Sequence, residues 1–300
     1  MPEEGVTLRP KMHFMSTEET VKIAKTFVGL GVNKIRITGG EPLIKKDIEN
    51  ILTQLAALKV DLHLTTNGIL IDKYVGLFQK IGLKNINISI DSLNEDRFNT
   101  ITKRKYFQRI LENIKLLIEL DFNVKLNVVL IKGVNDDEIL DFIALTENWN
   151  IEVRFIEFMP FDGNKWDTSK VVSYAQIMDL VQSNYNMSLI KPQQAFLNDT
   201  SKRFKISNYK GEFGIISSVT NPFCDGCNRL RLTADGKLKN CLFSAKETDL
   251  LTELRQGNKI EPLILDSLND KKKSRAGIDE FTDKNIAIFE QNRNMTSIGG

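Results

Sequence analysis

Cysteine, histidine and proline are scarce in this chain: its 300 residues include three Cys, two His and seven Pro. Three cysteines cannot make the paired framework of a small stapled secreted module, and a chain of this length buries a core without one. Their odd number, with two in the spacing Cys224-x-x-Cys227, suits metal ligation or thiol redox in a reducing, intracellular compartment. Charge of one sign is also lacking. The 41 Lys plus Arg face 39 Asp plus Glu, so no global field recruits nucleic acid or a membrane surface, and any anion site must be built locally. No apolar run approaches the ~18 residues of a membrane-spanning helix. The first residues, MPEEGVTL, have neither the apolar core of a signal peptide nor the arginine-rich pattern of a transit peptide. What remains, 41% hydrophobic and 27% charged, is the balance of a globular protein of one large or two small domains.

From residue 16 to about 156 helical and strand patterns alternate. Ser16 and Glu19 have capping-box spacing, and Val21, Ala24, Phe27 and Val28 recur at helical intervals up to Gly31. Lys34 to Thr38 alternates as a strand, Ile35 and Ile37 facing one way and Arg36 and Thr38 the other. Asp47 opens a second helix through Ile48, Ile51, Leu52 and Leu55, before the strand Asp61 to Thr65. A helix from Asp72 to Ile81, the strand Asn85 to Ile90, helical patterns from Asn94 to Leu120, the strand Asn123 to Leu130, a helix from Asp136 to Leu145 and the strand Ile151 to Ile156 follow. Five strands separated by helices predict a parallel sheet with right-handed crossovers. Polar residues on one strand face (Arg36 and Thr38, Lys125 and Asn127, Glu152 and Arg154) fit a wide, incomplete barrel with a ligand inside better than an open sheet buried on both faces. After residue 157 the texture changes, so residues 1–159 are expected to form the partial barrel and 160–300 a smaller α+β unit.

Cys224-Asp-Gly-Cys227 is followed by Cys241, a set that suits either a structural zinc, which wants a fourth ligand, or an iron–sulfur cluster with one open iron. Directly after it, Arg229-Leu-Arg231 puts two guanidiniums on one side of an extended chain, a fork for phosphate beside the metal; away from such a loop it would be a solvated strand face. Thr38-Gly-Gly-Glu-Pro42 ends a strand, and its glycines let the backbone approach a ligand closely. Thr65-Thr-Asn-Gly68 and Ser89-Ile-Asp91 lie at equivalent strand ends. Singly each is an N-cap or a loop, but together they form the mouth of a parallel barrel, where sites are built. Lys271-Lys-Lys-Ser-Arg275 reads as a solvated linker, and the terminal Gly299-Gly300 as a tail.

These motifs, with Asn87-Ile-Ser-Ile-Asp91 and Arg154-Phe-Ile-Glu-Phe-Met-Pro160, occur in order across nearly the whole chain. In that combination the sequence resembles the molybdenum-cofactor biosynthesis protein A family, the radical S-adenosylmethionine (SAM) enzymes that act as GTP 3′,8-cyclase. The resemblance implies a (β/α)6 partial barrel with SAM and a 4Fe-4S cluster, and a C-terminal region with a second 4Fe-4S cluster. It implies that Cys224, Cys227 and Cys241 hold the second cluster. Arg36, Thr65, Lys125, Arg229, Leu230 and Arg231 would bind GTP, Gly40, Ser89 and Met159 would contact SAM, and Gly299 and Gly300 would assist catalysis. The implied reaction forms (8S)-3′,8-cyclo-7,8-dihydroguanosine 5′-triphosphate on the way to cyclic pyranopterin monophosphate. The implied partners are an electron-donating reductase and the downstream cyclic pyranopterin monophosphate synthase. The implied compartment is the mitochondrial matrix for a eukaryotic member and the cytoplasm otherwise.

The sequence departs from the family in one respect. The family's SAM-cleaving cluster is held by Cys-x-x-x-Cys-x-x-Cys, and the residues after its last cysteine read like Met1-Pro-Glu-Glu-Gly5 here. The expectation is therefore of a chain that begins after those ligands and after the first barrel strand, and that does not reduce SAM as it stands. A catalytically dead GTP-binding iron–sulfur protein and a zinc-stabilised interaction module are the other readings.

Overall fold

The computed structural model describes residues 10–196, 198–278, 281–282 and 292–295. The capping box forms: the Ser16 hydroxyl accepts from the Glu19 amide, and the Glu19 carboxylate accepts from the Ser16 amide, opening α1 (Thr17–Gly29). From there helix and strand alternate as β1 (Lys34–Ile37), α2 (Ile48–Ala56), β2 (Asp61–Thr66), α3 (Ile71–Ile81), β3 (Asn85–Ser89), α4 (Glu95–Thr102), α5 (Phe107–Glu119), β4 (Asn123–Leu130), α6 (Ile139–Asn148) and β5 (Glu152–Glu157). The strands β1 to β5 pair in parallel, each with the next. The single helical run expected over 94–120 is broken in two, because Lys103 takes the left-handed conformation at φ 55° and ends α4.

After residue 160 come α7 (Tyr174–Asn184), β6 (Ile190–Pro192), β7 (Lys202–Ile206) and β8 (Glu212–Ile216). These strands continue the first sheet: β8 lies parallel beside β5, β7 antiparallel to β8 and β6 antiparallel to β7. The result is an open eight-stranded sheet with β1 at one edge and β6 at the other, six of its strands parallel. The junction depends on a small residue, since a Cβ on Gly211 would stand 2.3 Å from the Ile151 carbonyl oxygen and 2.6 Å from that of Trp149. A second, antiparallel sheet orders β9 (Arg231–Leu232), β10 (Lys237–Lys239) and β11 (Thr248–Asp249) and carries α8 (Leu250–Arg255) and α9 (Glu261–Asn269).

The large core lies between the helices and one face of the parallel sheet, where Leu64, Ile86, Ile88, Leu126, Val128, Val153 and Phe155 meet Leu52, Phe78, Ile114 and Phe142. Each such fully buried side chain is worth about 1.5–3 kcal/mol of transfer free energy. Helix α1 serves two cores: Val21 and Ala24 face this one, whereas Ile23 packs with Met15, Leu238, Leu250 and Ile264 of the smaller unit. An ion pair from Arg255 to Glu19 at 2.7 Å holds the same two parts together. No helix among the described residues is long and apolar enough to cross a membrane.

Candidate functional site

A parallel ladder keeps residues of neighbouring strands in register, so the polar members of β1 to β5 form rows on the sheet face away from the large core. Arg36 pairs with His63, Thr65 with Asn87, Asn87 with Lys125, Lys125 with Glu152, and Asn127 with Arg154. Side chains along these rows bond to one another. Asn87 Nδ2 donates to Thr65 Oγ1 at 3.2 Å, Lys125 pairs with Glu152, and Arg154 Nε donates to Asn127 Oδ1 at 3.0 Å. The Asn87 Oδ1 atom is buried with no partner among the described residues, an acceptor aimed into a polar surface.

The face is strongly positive where β1, β5 and the loop before β9 meet. Desolvation, together with the charges of Arg154 and Arg229, brings Arg36 down to about 10. Desolvation and Arg229 do the same to Arg231, also to about 10. Both remain cationic at neutral pH; Asp61 and Glu152 offset part of the charge around Arg36, and a polyanion would relieve the crowding further. Arg231 stands at the start of β9, and Leu230 turns instead into the apolar cluster of the smaller unit. Lys271, expected to be a solvated linker residue, instead donates to the Arg229 and Asn240 carbonyls, making the Cys227–Arg229 loop and the Cys241 turn neighbours.

Cys224 and Cys227 bracket one 3-10 turn, with the Cys227 amide donating to the Cys224 carbonyl at 3.0 Å. All three cysteines are free thiols and half-buried. Burial raises the Cys227 thiol, but the Arg229 guanidinium, 3.7 Å from its sulfur, and Lys271 outweigh it and hold the thiol below its ordinary value. Cys241 packs against the aromatic cluster of Phe158, Phe161, Trp166 and Phe243. Among the described residues no group of three or more His, Cys, Asp or Glu side chains is placed to hold a metal ion.

The mouth of the sheet is built by carboxylates that sequence reasoning left as turn residues. Glu41 accepts from the Leu43 amide at 3.0 Å, the Thr66 hydroxyl at 2.8 Å and the Asn67 amide at 2.7 Å, fastening β1 to β2. Burial nonetheless raises its carboxyl above the usual range. Asp91 accepts from the Val129 amide at 2.9 Å, fastening β3 to β4, and burial pushes it up to about 6. Glu157, fully buried, accepts from the amides of Tyr174, Val219 and Thr220 and from the Thr220 hydroxyl, fastening β5 to the turn after β8. Gly40 and Ser89 lie exposed at two of these strand ends, and half-buried Met159 follows β5 beside the aromatic cluster. Gly299 and Gly300 lie outside the described residues. His63 was given no role from sequence, and Asn87 entered only as the first residue of the motif Asn87-Ile-Ser-Ile-Asp91; the available signal was their two-residue offset from Thr65 and Ser89 on the same strand faces.

Comparison with known proteins agrees with this architecture. Residues 3–146 match the family model for the radical SAM superfamily, and residues 151–276 match the model described as Molybdenum Cofactor Synthesis C. The chain is 45% identical to the mitochondrial GTP 3′,8-cyclase of Arabidopsis thaliana, over all of this chain and 76% of that protein. It is 41% identical to the GTP 3′,8-cyclase of Peptoclostridium acidaminophilum, over 90% of this chain and 83% of that one. It is 44% identical to human molybdenum cofactor biosynthesis protein 1 over 93% of this chain, and there it spans only 44% of the relative's length. Among solved structures, Streptococcus suis SuiB bound to S-adenosylmethionine shares the fold, with a TM-score of 0.55 at 16% identity over 93% of this chain and 71% of that one.

Proposed function

Because the chain belongs to the GTP 3′,8-cyclase family of radical SAM enzymes in molybdenum cofactor biosynthesis, we propose that its polar sheet face binds GTP, the triphosphate against Arg36, Arg229 and Arg231 and the nucleoside along Thr65 and Lys125. The observation that carries this reading is the positive cluster on Arg36, Arg154, Arg229 and Arg231, assembled from three separate parts of the chain on one face. Guanidinium forks match phosphate oxygens bidentately, and several together offset the charge of a triphosphate. Leu230, packed the other way, contributes through its backbone. Gly40, Ser89 and Met159, at strand ends around the mouth, are proposed to contact SAM, and Gly299 and Gly300 to assist catalysis.

The donor set at the C-terminal end suits a thiolate-held group: three free thiols on neighbouring loops, one of them held low by Arg229. Cys224, Cys227 and Cys241 are proposed to hold a 4Fe-4S cluster, which when bound would offer an open iron to the guanine. The residues around it bind and orient. Arg229 lies between the Cys227 sulfur and the phosphate-binding face, and its stacking over Phe223 at 4.9 Å fixes its plane. A SAM-cleaving cluster needs three further cysteines, which these 300 residues do not contain, so on their own they are proposed to bind GTP without cleaving SAM to yield the cyclised product. The name of the plant relative supports a mitochondrial setting for a eukaryotic member, with the cytoplasm as the setting otherwise, and an electron-donating reductase and a downstream cyclic pyranopterin monophosphate synthase are the proposed partners.

Two measurements test the proposal. Calorimetric titration with GTP should show Arg229→Ala and Arg36→Ala each weakening affinity about tenfold or more, the loss of one charge-assisted contact; unchanged affinity in both removes the phosphate assignment. Anaerobic reconstitution with iron and sulfide should give one 4Fe-4S cluster per chain, lost in Cys241→Ser. Stable zinc without a cluster would instead support the interaction-module reading.

A further inference from the structure

The buried ring of His63 lies between two charged partners on the polar face. Its Nε2 is 2.7 Å from Asp61 Oδ2, and its Nδ1 is 3.4 Å from Arg36 Nη2. A guanidinium only donates and a carboxylate only accepts, so one protonation state satisfies both contacts: the neutral ring, with Nε2–H donating to Asp61 and Nδ1 accepting from Arg36. Asp61 is itself fixed by the Asn85 amide at 3.1 Å and by Lys34 at 3.4 Å. The line Asn85–Asp61–His63–Arg36 thus crosses three strands and ends on the guanidinium.

We infer that His63 is a positioning residue for Arg36, holding its guanidinium by an Nδ1 acceptor so that it meets a bound triphosphate pre-oriented. This inference rests on the reading of Arg36 as a phosphate ligand. Orientation matters because a free arginine must give up its side-chain freedom on binding, whereas one held by a neighbour has already done so. Protonation of His63 would turn Nδ1 into a donor, break the bond and set imidazolium against guanidinium. The charges that face the ring are Arg36 and Lys34 from β1 and Asp61 from its own strand. Desolvation comes first among the influences that hold His63 below its usual value; Arg36 and Lys34 act with it and Asp61 against it, so the neutral ring is favoured at physiological pH. Arg36 is in turn flanked by Arg154, Arg229 and Glu152.

The test is GTP affinity of the 300-residue chain between pH 5.5 and 8, for wild type, His63→Ala, His63→Asn, Arg36→Ala and the double variant His63→Ala/Arg36→Ala. At pH 8, His63→Ala should weaken binding roughly three- to tenfold. His63→Asn, whose amide oxygen replaces the Nδ1 acceptor, should recover most of that loss. The double variant should bind no more weakly than Arg36→Ala alone, because the histidine acts through the arginine. On acidification the wild type should lose more affinity than His63→Asn; the titration of the GTP γ-phosphate is common to both and cancels in the comparison. Nitrogen NMR of the imidazole should show the neutral Nε2–H form at pH 7.5 without any ligand. Wild-type affinity in His63→Ala, additive losses in the double variant, tighter wild-type binding at low pH, or an Nδ1–H ring would each overturn the positioning role. If Arg36→Ala binds GTP as the wild type does, the phosphate reading of Arg36 falls, and this role with it.

Discussion

Glu157 shows how much one side chain carries here. Each of its two oxygens accepts two hydrogen bonds, from the Tyr174 amide and Thr220 hydroxyl on one and the Val219 and Thr220 amides on the other. A carboxylate is the side chain that offers four acceptor positions and no donor. Glu157→Gln keeps the volume but points an NH2 at two donors inside a buried site, and should cost about 2–4 kcal/mol, read as a lower urea midpoint at unchanged slope. An unchanged midpoint would mean that the turn after β8 is held by something else. Sequence made the polar row at Arg36, Lys125, Glu152 and Arg154 legible, because polar residues break an otherwise apolar strand pattern, whereas Arg229 and Arg231 stand out by their place beside Cys224-x-x-Cys227 and the GTP roles come from the resemblance alone. It hid His63 and Glu157: a histidine two residues from an aspartate, or a glutamate at a strand end, is ordinary until a partner from another strand stands opposite.

Among the elements, alternation was readable because apolar periodicity and caps agree, as at Ser16 and Glu19, though the helix expected from Asp136 to Leu145 runs instead over Ile139–Asn148, after a separate 3-10 turn at Asp136–Glu138. The break between α4 and α5 was not, since Lys103 ends a helix by a left-handed conformation that lysine seldom advertises. Strand ends also carry the pH dependence of stability. Asp91, raised to about 6 by burial, is protonated in the folded state at pH values where it is ionised in the unfolded chain. The folded state therefore binds the extra proton between about pH 4 and 6, and this group's contribution to stability is complete below about 4 and lost as pH rises through 6. A shift of about two pH units corresponds to roughly 2–3 kcal/mol. Asp91→Asn keeps an acceptor for the Val129 amide, should match the wild type near pH 4 and should exceed it by about that amount at pH 7. Parallel wild-type and variant stability curves would remove Asp91 from the account.

At the scale of the whole molecule, sequence texture suggested a change of unit near residue 160, but not that the later strands return to the first sheet. Pairing of β8 with β5 depends on partners some 60 residues apart, and on a close approach at Gly211 that composition does not display. One sheet crossing both halves predicts one unfolding transition. Trp149 packs on the large core and Trp166 in the aromatic cluster beyond it, so the variants Trp149→Phe and Trp166→Phe each leave one reporter. Their fluorescence midpoints in urea should coincide with each other and with far-UV circular dichroism. Gly211→Ala, with its Cβ against backbone oxygen, should lower all of these midpoints together. Midpoints separated between the two reporters would show halves that melt independently.

The three carboxylate fastenings bind the strand ends in pairs, β1 with β2, β3 with β4 and β5 with β8. Between the pairs, β2 is joined to β3 by the ladder and the Asn87–Thr65 bond, and β4 to β5 by the ladder, the Lys125–Glu152 pair and the Arg154–Asn127 bond. The sheet is therefore tied by two kinds of bond, buried carboxylates at three seams and the polar row itself at the other two, so a substitution in that row also removes a tie between strands.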